Sequence, residues 1–161
     1  MTEQIVEKRI MEQIETALTL SGVEGVKVYG AWQPAAAGAV KAVETADALG
    51  LVSVKVSPRE YATPTVPHAT LATTVAFSMR VEADPTGSKR LAVADAISQL
   101  LFSWQDSFAA FAAAFDGIDG LAVCGFTLSG GDVGVDRTAS LWTYTHNLTI
   151  NAIFAKKGTN P

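Results

Sequence analysis

The residues that could do chemistry are few. His68 and His146 are the only histidines, and Cys124 is the only cysteine. Histidine is the side chain best suited to acid–base work near neutral pH and a common metal ligand. Neither histidine has a cysteine or carboxylate at zinc-ligand spacing. His146 lies between Tyr144 and Leu148 in an alternating stretch and reads as a hydrogen-bonded core or interface residue, whereas His68 ends a proline-rich stretch and reads as an exposed loop residue. Cys124, in L-A-V-C-G-F, stands where a small buried hydrophobe is expected, and a lone cysteine excludes an internal disulfide.

The remaining motifs are equally spare. Ser129 sits in L-S-G-G, outside the G-x-S-x-G pattern that exposes a hydrolase nucleophile. Gly130, Gly131, Asp132, Gly134 and Asp136 are one residue off the calcium-binding glycine–aspartate repeat and occur in a single copy, so they read as a hairpin tip. The glycine at position 38 belongs to no phosphate loop, and G-x-G-x-x-G does not occur. Phe108, Phe111 and Phe115 recur at helical spacing, which points to a core before a ligand groove. No catalytic, metal or cofactor-binding residue is therefore assigned, and the expectation is a protein that is not an enzyme and needs no cofactor. Arg59 and Tyr61 are different: they stand in a long stretch with Pro58, Pro64 and Pro67, and are candidates for a subunit or partner contact.

The elements that must position these residues are easier to read. Residues 70–82 alternate Leu71, Thr73, Val75, Phe77, Met79 and Val81 against small or polar side chains, the period of a strand with one face on a core. This is the expected central strand. Val6, Ile10, Ile14 and Leu18 recur every fourth residue and predict a helix over residues 5–20, with Glu7, Lys8, Glu12 and Glu15 on its outer face and Gly22 at its end. Strands are expected at 26–32 and 51–56, and an extended loop at 57–68, because proline cannot donate to a ladder. Residues 33–50 are alanine-rich but broken by Gly38, and read as a short helix or a projecting arm.

Beyond the central strand, Thr86 or Ser88 is placed to cap a helix over 89–104 with Leu91, Ala94, Ile97, Leu101 and Trp104 on its buried stripe. Asp106 or Ser107 is placed to cap a short aromatic helix, with Phe108, Phe111 and Phe115 on one face. Strands are expected at 121–128 and 141–154, the latter with Trp142, Tyr144, His146, Leu148, Ile150, Ala152 and Phe154 facing inward. The fold class is then α+β: a single domain over 1–161, mainly antiparallel or mixed sheet, with the N-terminal and central helices on one face. Residues 156–161 are expected to form a flexible tail.

Composition narrows the function. Of the 161 residues, 48% are apolar and only 17% charged, so much surface must be carried by Thr, Ser, Asn and Ala, as suits a protein that hides surface against other subunits. The net charge of -4 argues against specific nucleic-acid binding, which needs a basic stripe. No stretch reaches the length of a membrane span, and the charged, periodic start of the chain is unlike the apolar core of a signal peptide. A reducing compartment is expected.

The segments I-V-E-K-R-I-M-E-Q-I-E-T-A-L, P-R-E-Y-A-T-P-T-V-P-H before T-L-A-T-T-V-A-F-S-M-R-V, R-L-A-V-A-D-A-I-S-Q-L-L and L-T-I-N-A-I-F, in this order, resemble the tail terminator or tail-completion (minor tail) proteins of long-tailed bacteriophages. The resemblance covers most of the chain as architecture and pattern. It departs in the alanine-rich stretch 34–49 and the aromatic helix 108–115. It implies a structural virion or prophage protein: a homo-oligomeric ring, usually a hexamer, that caps the tail tube. Its partners would be further copies of itself, the tail tube protein and the head–tail connector proteins, and its place the virion, with the host cytoplasm during assembly. The alternative is a small-molecule binding module with an apolar pocket between the sheet and the aromatic helix, near Trp104, Phe108 and Trp142.

Overall fold

The structure is a computed structural model that describes residues 2–32, 49–61, 69–80, 84–116, 122–123, 134–138, 141–150 and 154–155. For residues 2–3, 57–61, 69–72, 80 and those from 122 onward, the description is of the backbone. Among the described residues, three helices, α1 (Thr2–Leu20), α2 (Ser88–Asp106) and α3 (Phe108–Ala114), accompany seven strands. The strands are β1 (Val26–Gly30), β2 (Gly50–Tyr61), β3 (Ala69–Arg80), β4 (Ala122–Val123), β5 (Gly134–Thr138), β6 (Leu141–Ile150) and β7 (Phe154–Ala155). Five of them form one sheet in the order β1-β2-β3-β6-β5, and β4 pairs with β7 in a second, two-stranded sheet. The β1–β2 pair is parallel and the other pairs antiparallel, so the fold is α+β with a mixed sheet. As expected, β3 is the middle strand.

The predicted apolar rows form the core. Val6, Ile10, Ile14 and Leu18 of α1 are buried, and so are Val52, Val54 and Val56 of β2 and Thr73, Val75, Phe77 and Met79 of β3. Lys55, between two buried valines, is exposed, and Ser53, Thr74, Ala76 and Ser78 are half-buried. Both helical and strand rows belong to one cluster with Val93, Ala96, Ile97 and Trp104 of α2 and Phe111 of α3, so the helices cover one face of the sheet. Each fully buried Val, Ile or Phe contributes about 1.5–3 kcal/mol by leaving water. Gly22 ends α1 as expected: its φ is 71°, its amide donates to Thr19 O and that of Val23 to Leu18 O. This paired closure needs a left-handed residue, which glycine adopts without strain.

Several expectations need correction. The first strand stops at Gly30, short of Trp32. Residues 57–61 are not loop but the far half of β2, paired through Tyr61 with Ala69, while 62–68 lie outside the described residues. Proline is tolerated at position 58 because β1 pairs with β2 only as far as Val54, so the missing amide costs no rung between these two strands. The ladder slips between Pro58 and Glu60, leaving Arg59 as the extra residue of a β-bulge. The central strand runs over Ala69–Arg80, and 81–82 lie outside the described residues.

In α2, Ile97 and Trp104 of the expected stripe are buried, but Leu91 is 59% exposed; Val93 and Ala96 complete the buried stripe, with Ala94, Leu100 and Leu101 partly buried beside it. Neither Thr86 nor Ser88 caps this helix. The Asp84 carboxylate does, accepting from Lys89 N at 3.1 Å and Arg90 N at 2.9 Å across the tight turn at Gly87. A carboxylate satisfies two end amides and complements the helix dipole, which a hydroxyl cannot do. Ser107 caps α3 as expected, accepting from Ala110 N at 3.2 Å.

At the C-terminal end, Gly134–Asp136 belong to β5 rather than to a hairpin tip, and the expected strand 141–154 is β6 followed by β7. Phe154 pairs with Val123 in the second sheet, and of the expected strand 121–128 only Ala122–Val123 is described. The alanine-rich residues 33–48 and the tail 156–161 lie outside the described residues.

Candidate functional site

Of the two histidines and the cysteine, His146 alone lies among the described residues. His146 is in register with Val75 in the middle of the sheet, Tyr144 with Phe77 and Trp142 with Met79. These positions of β6 thus stand opposite the buried row of β3 in register. His68, Cys124, Ser129, Gly38 and the stretch 130–133 lie outside the described residues. Among the described residues, no group of three or more His, Cys, Asp or Glu could hold a metal ion. No helix among them is long and apolar enough to cross a membrane.

The aromatic helix is divided. Phe111 and Phe115 are buried, but Phe108, expected on the same face, is 47% exposed. Trp104 meets Phe111 edge-on with centroids 5.4 Å apart, and Phe111 and Phe115 stand 5.0 Å apart. These rings fill one another's space as aromatic clusters do, so they act as core. Phe108 starts the helix right after its Ser107 cap, where the chain has just turned out of α2.

A polar cluster that sequence reasoning missed lies where the chain leaves β1. Glu7, expected on the outer face of α1, is completely buried. One carboxylate oxygen accepts from Trp32 N at 2.7 Å and the other from Val56 N at 3.1 Å. The Trp32 indole N–H donates to Val56 O at 2.9 Å, next to the last parallel rung, Ala31 N to Val54 O. Side chains of α1 and of the β1 exit thus take up the peptide groups of β2 just where β1 ends. Gly30 leaves the room: a Cβ there would run into the Glu7 carboxylate and lie 2.6 Å from Met11 Sδ. Burial pushes the Glu7 carboxyl above its ordinary range, and the hydrogen bonds from Trp32 and Val56 pull part of the way back. The only advance signal was Glu7's place one residue after Val6, on the edge of the apolar stripe.

A second tie holds the helical layer. Arg9 donates to Ala114 O at 3.4 Å and Asp116 O at 3.1 Å, at the C-terminal end of α3, and lies 3.7 Å from Glu12. A cation at a helix C-terminus meets carbonyls without helical partners.

The contact candidates Arg59 and Tyr61 do lie together, in the far part of β2. There β2 and β3 run on as a ribbon: β1 has ended at the level of Val54, and β6 joins β3 only from Leu71 onward. Glu60 and Tyr61 pair with Thr70 and Ala69, so the end of the ribbon is two-stranded among the described residues. Arg59 is its bulge and Tyr61 its last described residue.

No protein-family model matches the chain, and no curated protein does.

Proposed function

We propose that the chain is a structural subunit of a phage or prophage tail, which assembles into a homo-oligomeric ring that caps the tail tube and joins it to the head. The observation that carries this reading is the bulged β2–β3 ribbon. Among the described residues, β2 runs on to Tyr61 where β1 has ended at the level of Val54, and β3 begins at Ala69, ahead of its first partner in β6 at Leu71. Such a ribbon offers backbone at the margin of the sheet, where another subunit can be reached, and bulges are over-represented at sheet edges and functional sites. The low charge of 17% and the sheet face left uncovered by the described helices, with Ser53, Lys55, Thr74 and Ser78, support a surface built for neighbours. Closed rings follow when each subunit presents two different patches to its neighbours. The partners in this reading are further copies of the chain, the tail tube protein and the connector at the head.

No specific observation favours the alternative of a small-molecule binding module. Trp104, one wall of that pocket, is 2% exposed and packed against Phe111 and Phe115.

The test is the native mass of the purified chain by light scattering over a concentration series, with negative-stain microscopy of the same samples and of mixtures with tail tubes. Rings, or tubes whose ends are capped, are expected. A strict monomer that leaves tubes uncapped overturns the proposal.

A further inference from the structure

We infer that Glu7 and Trp32 form an edge stop: they close β2 where β1 leaves it, so that a strand of a second copy of this chain cannot add there. The inference does not depend on the proposed function. A strand margin is a row of N–H and C=O groups on which another chain can pair, and proteins close such margins or join through them.

The hydrogen bonds show how this margin is closed. In a parallel ladder, the residue that donates to one carbonyl of the neighbouring strand accepts from the amide two residues further on. Ala31 N donates to Val54 O at 3.0 Å, so the ladder would continue from Val56 N–H to Ala31 O. Instead, Val56 N–H donates to Glu7 Oε2 at 3.1 Å, and Val56 O accepts from the Trp32 indole at 2.9 Å. Both peptide groups that Val56 turns toward the β1 side are thereby held by side chains. Glu7 Oε1 accepts from Trp32 N at 2.7 Å, which fixes the residue that carries the indole. Two oxygens that only accept suit two amides. Trp32 keeps 42% of its surface exposed, so its ring stands at the margin rather than in the core.

The closure continues along the strand. Successive residues turn their peptide groups to opposite sides, so Pro58, still in register with Leu71, faces the same side as Val54 and Val56. Proline has no N–H to give. Directly after it the register of β2 on β3 shifts, and a bulge bends a strand out of line. From Val56 to Pro58 an incoming strand therefore meets no free donor, and past them it meets a bent backbone. Proline and bulges are devices by which sheet margins resist pairing, and the Glu7–Trp32 tie adds a third. What the ribbon offers a neighbour then begins past the stop, at Arg59.

The experiment uses the isotope-labelled full-length chain and a spin-labelled peptide of residues 50–61, which is the β2 strand of a second copy. In the wild type, the peptide should cause no saturable broadening of the amide signals of residues 54–57. In Trp32→Phe with Glu7→Gln, the Val56 carbonyl is released and its amide loses its acceptor. The peptide should then broaden these signals saturably, with an affinity at least about tenfold above that of wild type, as two backbone hydrogen bonds would give. Adding Val56→Pro removes the donor on this side and no bond between β2 and β3, and should return the broadening to the wild-type level. Loss of stability alone would not be reversed by a proline. Saturable binding at residues 54–57 in the wild type overturns the inference, as does a folded double variant that binds no peptide, or binding that survives Val56→Pro. Should the double variant not fold, Trp32→Phe alone, which keeps an aromatic ring, is expected to show weaker saturable broadening at the same signals, and its absence there overturns the inference.

Discussion

Gly30 and Thr73 show how tightly single positions are held around the sheet. At Gly30 the conflict with the Glu7 carboxylate and Met11 Sδ is steric, since both groups are buried or half-buried and backed by α1. Gly30→Ala should therefore cost about 1–3 kcal/mol, the range for overpacking, read as a lowered urea midpoint. Thr73 poses the opposite problem. It is 1% exposed in the apolar row of β3, and its hydroxyl has no hydrogen-bond partner among the described residues. Removing an unsatisfied buried hydroxyl while keeping the branched shape should help. Thr73→Val is expected to raise stability by about 0.5–2 kcal/mol, seen in the same denaturation experiment.

The helix ends decide the elements. α2 begins at a glycine in left-handed geometry, φ 75°, and takes its side-chain cap from Asp84, which is itself buried. Asp84→Ala should lower stability by about 0.5–2 kcal/mol in thermal or urea unfolding, whereas Thr86→Ala and Ser88→Ala should stay within about 0.5 kcal/mol of wild type. Equal losses at Ser88 and Asp84 would contradict the capping assignment. The aromatic residues follow the same logic. Phe111 and Phe115 pack on Trp104, while Phe108 opens the helix beside its cap and keeps nearly half its surface in water.

At the scale of the molecule, the described residues form a five-stranded mixed sheet with helices on one face and a β2–β3 pair whose far end is two-stranded. If this ribbon makes the subunit contact, Arg59→Ala with Tyr61→Ala should weaken ring formation by about thirtyfold or more, the consequence of losing one interface anchor worth about 2 kcal/mol. The monomer's circular dichroism and melting should change little. A double variant that forms rings at wild-type concentrations would remove the ribbon from the proposed interface.

Local pattern alone determined the α+β class, the buried rows of α1, β2 and β3 and the helix end at Gly22. Each follows from local geometry: a period near four or of two states which side chains share a face, and a glycine states where the left-handed turn falls. Glu7, Asp84 and the far half of β2 were decided only in three dimensions. Glu7 looks like any helix-surface glutamate until β1 ends beside it and presents two amides with no strand to take them. Asp84 stands four residues before α2, and only the turn through Gly87 brings its carboxylate onto the helix end. Pro58 reads as a strand breaker, yet whether a missing amide matters depends on the neighbouring strand, and β1 has stopped before reaching it.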